Sequence, residues 1–329
     1  MILVTGGAGF IGSNIVARLC ELGRDDVVVV DRLGDDDVKW RNLAHHPFER
    51  LIAPEDLNGF LAASGDSVRA VVHMGAISST TVTDADAVAR TNMALSRALW
   101  DWCAAKARPF IYASSAATYG DGAAGFSDDN DSSALARLRP LNLYGWSKHW
   151  FDVWALRAVA AGKPRPPQWA GLKFFNVYGP NERHKGEMMS VVAKNYTACA
   201  AGEEVGLFKS YKPEFEDGGQ LRDFVYVRDC VDVVSWLLDH PEAQGVFNLG
   251  TGQARSFRDL IAATFAAAGQ APRILYIDMP ESLRARYQYF TQAEMGRLRA
   301  AGYDGQFTPL EAGVEDYVSR YLSQADPHA

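Results

Sequence analysis

Short apolar runs punctuate the first half of the chain: residues 2–4, Val27–Val30, Ala70–His73 and 109–113. Between them the apolar positions change rhythm. Ile15, Val16 and Leu19 fall at helical spacing within 13–22, and Met93, Leu95, Leu99 and Trp102 do the same within 91–102. Unbroken apolar runs suit strands covered on both faces, and the helices between them supply the crossovers a parallel sheet requires. The alternation therefore predicts βαβ units and an α/β fold. A further strand at 171–175 follows the loop 162–167, whose three prolines remove donors and end any preceding helix.

From Pro180 this rhythm fades, returns over 223–250, and gives way to a mixed tail with helical stretches near 257–268 and 310–322. Two units built from separated segments are expected. Residues 1–180 plus 223–252 would form the larger, and 181–222 plus 253–329 a smaller C-terminal α/β lobe. A chain of 329 residues with 48% hydrophobic content has enough apolar surface for both.

Charge narrows the function classes. With 33 basic and 40 acidic side chains, the formal charge is −7, so a global cationic field for nucleic acid or anionic lipid is missing. Any phosphate must be held locally. Cys20, Cys103, Cys199 and Cys230 are far apart with no CxxC spacing, which argues against a metal cage or a disulfide framework. No stretch approaches the roughly 20 apolar residues of a membrane span, and a strand pattern follows Met1 where a signal segment would begin. A cytoplasmic protein is expected.

The local phosphate site is Thr5-Gly6-Gly7-Ala8-Gly9-Phe10-Ile11-Gly12, between a predicted strand and a predicted helix. Glycines 6, 9 and 12 permit a tight turn and close approach of a pyrophosphate, and the free N–H groups of the following helix stabilise its charge. This context predicts a Rossmann-type doubly wound parallel sheet binding a dinucleotide. Asp31, about 20 residues on, stands where a carboxylate usually accepts from the adenosine ribose, as in NAD sites. Arg32 and Lys39 follow it and offer cations to a 2′-phosphate, which favours NADP. If those two are only solvated loop charges, NAD is the cofactor.

Tyr144 and Lys148 are four residues apart in Tyr144-Gly145-Trp146-Ser147-Lys148, hence on one face if the segment is helical. A phenol near pKa 10 is a poor base at neutral pH, but an adjacent ammonium and an oxidised nicotinamide both favour phenolate. Tyr144 then becomes a candidate base for hydride transfer. In 112–120, after the predicted strand at 109–113, Ser115 offers a hydroxyl at the carboxyl edge of the sheet, where ligands of such sheets bind.

Together the glycine loop, Asn92, the Ser115 segment and the Tyr144–Lys148 pair resemble the extended short-chain dehydrogenase/reductases of the NAD-dependent epimerase/dehydratase family. In the second half, Phe174-Phe175-Asn176-Val177-Tyr178-Gly179-Pro180, His184-Lys185-Gly186, 78–81 and Arg286-Tyr287-Gln288 are similar to the bacterial heptose epimerases within that family. The resemblance runs from Met1 to about Tyr321. It implies an isomerase acting on an ADP-heptose type of nucleotide sugar, by transient oxidation at C6 with bound NADP. It also implies a homo-oligomer and a place in lipopolysaccharide core biosynthesis.

Residue by residue, the resemblance implies catalytic roles for Ser115, Tyr144, Lys148 and Lys185, the last as a second acid/base group. It puts the cofactor on Gly6, Gly9, Phe10, Ile11, Gly12, Asp31, Arg32, Lys39, Met74, Gly75, Ala76, Ile77, Ser78, Asn92, Tyr144, Lys148 and His184. The substrate falls to Ser115, Asn176, Val177, Glu187, Lys194, Phe208, Lys209, Ser210, Arg222 and Tyr287. Arg222 suits a diphosphate through its planar fork. Three departures stand out: Met74 where relatives often carry an acid, Glu187 in place of a small residue, and 211–220, which has the look of an insertion. A 4-epimerase, a 4,6-dehydratase and a non-catalytic NADP-binding sensor are the competing readings. Ala116-Ala117 lack the Asp-Glu pair of a dehydratase, and a sensor has no need of both Tyr144 and Lys148.

Overall fold

The computed structural model describes residues 1–35, 37–284 and 287–329. Its central sheet contains β1 (Ile2–Thr5), β2 (Val27–Val30), β3 (Arg50–Ile52), β4 (Ala70–His73), β5 (Phe110–Ser115), β6 (Trp169–Phe174) and, later in the chain, a strand at Gly245–Leu249. Every pairing in it is parallel. Between β6 and that last strand lie β7 (Asn176–Tyr178), β8 (Val205–Phe208) and β9 (Leu221–Tyr226), so Gly245–Leu249 is β10; β11 (Ala254–Ser256) and β12 (Ile274–Ile277) follow. The order is β10-β6-β5-β4-β1-β2-β3, a doubly wound Rossmann-type arrangement that reverses direction between β1 and β4.

Period-two alternation explains the two layers. Val4, Val29 and Val72 face the helices Phe10–Glu21 and Val227–Asp239, in a core with Ile15, Val16, Leu19 and Val234. Leu3, Val28 and Val71 face the other way, onto Leu57–Ser64, Leu95–Lys106 and Leu143–Ala160. On that second face Phe151 meets Tyr112 edge-on at 4.8 Å, and Trp100 meets Phe110 at 6.1 Å. Pairs of this geometry add about 0.5–1.5 kcal/mol each beyond their burial.

β3 is absent from the apolar pattern because it is an edge strand whose Arg50 and Leu51 are exposed. The remaining strands form two small sheets: β11-β9-β7, in which β7 and β9 are parallel, and the parallel pair β12-β8. The helices Val191–Ala200, Phe257–Ala267 and Leu310–Tyr317 pack about them. Among the described residues, no helix is long and apolar enough to cross a membrane, and no cluster of His, Cys, Asp and Glu has the makings of a metal site.

Candidate active site

The glycine loop closes the end of β1 at the sheet's switch point. Gly6 adopts φ +67°, its amide donates to the Val30 carbonyl at 2.8 Å, and a Cβ there would stand 2.6 Å from the Gly75 amide nitrogen. A Cβ at Gly12 would collide with the Gly6 carbonyl oxygen. Among the described residues, no side chain caps the helix Phe10–Glu21, whose N-cap is Gly9. Its first N–H groups therefore keep their hydrogen-bonding capacity for an anion. The cradle fits a dinucleotide pyrophosphate.

Asp31 is wired into this loop. Its Oδ2 accepts from the Ala8 amide at 2.9 Å, while Oδ1 accepts from the Arg32 amide at 2.8 Å and Lys39 Nζ at 2.6 Å. Arg32 turns outward to Glu55 at 3.0 Å. Met74 to Ser78 run on from β4, and Asn92 holds them: its Oδ1 accepts from the Ile77 amide at 2.8 Å and its Nδ2 donates to the Ile77 carbonyl at 3.0 Å. The same Nδ2 donates to Ser147 Oγ at 3.0 Å, joining the loop to the helix of Tyr144 and Lys148. Asn92 lies in a π-helical turn, Ala89–Ala94, a widening that aims its side chain across elements.

His73, absent from the sequence-based site, completes this wiring. Burial holds its pKa down to about 3, with the Lys148 charge adding to the effect, so the ring is neutral. Ser96 Oγ donates to the Asn92 carbonyl at 2.7 Å and so accepts from His73 Nε2 at 2.9 Å, which leaves Nδ1 to accept from Thr5 Oγ1 at 2.6 Å. Thr5 Oγ1 in turn accepts from the Gly75 amide at 3.1 Å.

Tyr144 and Lys148 lie in the first turns of Leu143–Ala160, started by Asn142, whose side chain accepts from the Gly145 amide at 2.8 Å. Tyr144 is half-buried and hydrogen-bonded to Ser115 at the end of β5. Burial raises its pKa, the Ser115 bond opposes this, and the Asp152 carboxylate adds to the rise. Lys148 is buried at 3% exposure; desolvation lowers its pKa to about 8 against the pull of Asp152. The predicted trio of Ser115, Tyr144 and Lys148 is thus brought together on two facing elements.

Lys185 lies in the short helical turn Arg183–Met188 after β7. Its ammonium sits 4.9 Å from the centre of the Phe10 ring, at the start of the glycine-loop helix. Burial lowers its pKa and the Glu182 carboxylate opposes this. Glu182 is fully buried, accepting from the Ser190 amide at 2.5 Å and hydroxyl at 2.6 Å. His184 reaches the same region, its Nδ1 3.1 Å from Asn42 Nδ2, which also donates to the Ala8 carbonyl at 2.9 Å. Glu182 and Asn42 carried no recognisable signal in the sequence, since a loop acid and a loop amide are ordinary until burial is known.

The proposed substrate residues form two groups. Asn176 and Val177 are on β7, with Asn176 exposed, while Glu187 and Lys194 pair at the surface at 3.1 Å. Farther along, Phe208 and Tyr287 meet edge-on at 6.1 Å, and the Arg222 guanidinium lies 5.4 Å from the Tyr287 ring and 5.5 Å from Phe257. Arg222 does not present an open fork: Nη1 donates to the Leu221 carbonyl at 2.8 Å and Nη2 to the Gln288 carbonyl. Arg286, part of the sequence resemblance, lies outside the described residues. Lys209 pairs with Asp278 at 3.2 Å, and the Ser210 amide donates to Asp217 at 2.7 Å, which folds segment 211–220 back on β8. Gln288 ties this region to the Ser115 side by donating to the Gly120 carbonyl at 2.8 Å.

The family model described as NAD dependent epimerase/dehydratase family matches residues 2–250. A protein of Nitratidesulfovibrio vulgaris strain Hildenborough named ADP-L-glycero-D-manno-heptose-6-epimerase is 51% identical, with 100% of each chain covered. A protein of the same name from Fusobacterium nucleatum is 47% identical, again with 100% of each covered. Among solved structures, the Helicobacter pylori ADP-L-glycero-D-manno-heptose-6-epimerase superposes with a TM-score of 0.78 at 29% identity, covering 97% of this chain and 95% of that one. The Thermus thermophilus UDP-glucose 4-epimerase in complex with NAD gives 0.73 at 27%, covering 95% and 96%.

Proposed function

This chain belongs to the NAD-dependent epimerase/dehydratase family, and within it we propose that it inverts C6 of ADP-D-glycero-β-D-manno-heptose to give ADP-L-glycero-β-D-manno-heptose, with NADP retained through each cycle. The observation that carries this reading is that two proton-handling groups adjoin the nucleotide-binding loops: Tyr144, bonded to Ser115 and carried on the helix that Asn92 ties to Ile77, and Lys185, over Phe10 at the start of the glycine-loop helix. The full-length likeness to heptose epimerases supports the choice of sugar. Residues 1–180 with 223–252 serve the cofactor in this scheme, and 181–222 with 253–329 the nucleotide sugar.

NADP supplies, when bound, the acceptor and then the donor of hydride at C6. Ser115 holds O6, and Tyr144 takes its proton as the C6–H bond breaks. Lys148, kept as an ammonium, favours phenolate at Tyr144 against the effect of burial. The resulting 6-ketone turns, so that hydride returns to the opposite face and O6 meets a different donor. Lys185, its pKa lowered by burial against the pull of Glu182, is a stronger acid than an exposed lysine and so better suited to supply that proton. For the cofactor, NADP is favoured because three of the acceptor sites of Asp31 are already used and Lys39 offsets its charge, which eases approach of a 2′-phosphate. Arg32 stands at the rim with 70% of its side chain exposed.

The deciding experiment incubates the purified chain with ADP-D-glycero-β-D-manno-heptose and no added cofactor, following C6 by NMR. Conversion to a mixture of epimers is expected. No conversion, with NADP supplied and the fold confirmed, rejects this substrate.

A further inference from the structure

The stripe that carries Tyr144 and Lys148 continues one turn farther to Asp152, which is fully buried. Its carboxylate gathers donors from three strand positions. Oδ1 accepts from the Tyr112 hydroxyl at 3.0 Å; Oδ2 accepts from Ser114 Oγ at 2.6 Å and from Lys173 Nζ at 2.8 Å. Lys173, 1% exposed on β6, also donates to Thr118 Oγ1 at 2.6 Å and lies 4.9 Å from the Tyr119 ring centre. Thr118 Oγ1 donates to the Ser115 carbonyl at 2.8 Å. Ser115 is therefore held from both sides, through Ser114 by Asp152 and through Thr118 by Lys173.

We propose that the buried Asp152–Lys173 pair is a positioning device for the chemistry at Tyr144: it fixes the Ser115 hydroxyl against the phenol and keeps a negative charge one helical turn from Lys148. This rests on the assignment of Tyr144 and Lys148 as the reacting pair. A fold has little use for such a pair, since replacing two desolvated charges by well-packed apolar residues is often neutral or stabilising. A geometric use accounts for it. Ser115 Oγ already accepts from the Ala117 amide at 3.1 Å, which fixes the orientation of its hydroxyl toward Tyr144. Each link in this chain has one geometry, so the catalytic oxygen is set by groups that never touch substrate.

The electrostatic part has a definite sign. The Asp152 charge raises the pKa of both Tyr144 and Lys148. His73 on β4, which is neutral, also faces Lys148. Around the pair itself stand Tyr112 from β5, Tyr119 and Asp128 from the segment after it, His149 from the same helix, and Arg139 from the segment before it. Removing the carboxylate charge thus lets protons leave Tyr144 and Lys148 at lower pH, and the whole pH–rate profile moves to the acid side.

The test is the double variant D152N/K173M, which removes both charges together, compared with wild type as the NADP-bound chain. The expected result is a kcat lower by about 10- to 100-fold with KM within twofold, and a pH profile displaced to lower pH. Tyr144 ionisation, read without substrate by ultraviolet difference against Y144F, should shift the same way. That second measurement separates failure of this idea from failure of the heptose assignment. K173R keeps charge and donors, and a cavity of about 100 Å³ beside Lys173, lined by Leu135 and Leu138, gives it room; it should retain the wild-type pH profile. Wild-type kcat and an unmoved Tyr144 titration in the double variant would overturn the proposal. If that variant does not fold, S114A decides: a kcat lower by tenfold or more supports the proposal, and an unchanged kcat overturns it.

Discussion

Burying the Lys148 ammonium sets stability against chemistry within a single residue. Its folded pKa of about 8 is below the ordinary 10.5, so between these values the unfolded chain binds a proton that the folded chain does not. Stability contributed here rises with pH across that window, and the whole penalty is present below pH 8. The shift corresponds to about 3 kcal/mol. K148M should therefore be more stable than wild type at pH 7, by up to that amount, with the gap closing toward pH 10.5 in denaturant titrations of the cofactor-free chain. Equal stabilities at pH 7 would refute the argument. Activity should move the other way, since in the proposed mechanism Lys148 is the cation that favours phenolate. In the proposed mechanism Tyr144 and Lys185 carry the proton chemistry itself. Y144F should lower kcat by about 10²- to 10⁴-fold, measured by NMR at C6, with cofactor affinity kept. K185M should cause a loss of similar order; a rate near wild type would eliminate the second proton donor and favour a single-base epimerase.

At the scale of elements, the strand–turn–helix around the glycine loop is tuned by volume. G12A puts a methyl group into the Gly6 carbonyl, which is rigid backbone, so the loop must move away from the cradle it forms. A loss of about 1–3 kcal/mol in stability and cofactor binding weaker by more than roughly 100-fold are expected, from thermal melting and titration calorimetry; intact affinity would show that the helix N-terminus does not hold the pyrophosphate. This element was legible in the sequence because its apolar runs, glycines and helical spacing all occur locally. So was the pairing of Tyr144 with Lys148. The supports beneath them were not, because Asp152 and Lys173 acquire meaning only when β5, β6 and the helix Leu143–Ala160 come together. One signal was available: Lys173 interrupts an otherwise apolar strand buried along its whole length, where a charge needs a partner. His73 gave a similar hint at the end of β4. Arg222 shows the converse, since its chemical type suggested an open phosphate clamp, whereas folding occupies two of its nitrogens with carbonyls of its own chain.

For the whole molecule, a formal charge of −7 repels a dinucleotide phosphate at long range, so the preference between NADP and NAD depends on local cations at the rim of the cradle. Lys39 is held by Asp31 and Arg32 by an exposed pair with Glu55, a contact of small net worth that a phosphate can displace. Binding to the folded state alone stabilises it by about 2.7 kcal/mol at a hundredfold excess over Kd, enough to raise the melting midpoint by several degrees. In wild type the rise should be larger with NADP than with NAD at equal concentration. R32A/K39A should erase that difference while leaving the NAD response largely in place, because the glycine loop and Asp31 still hold the shared part of both cofactors. High salt should narrow the wild-type difference as well, since the discriminating cations lie at the surface and are screened there. Equal shifts by the two cofactors in wild type would instead make NAD the working partner, with Arg32 and Lys39 reduced to organising Asp31.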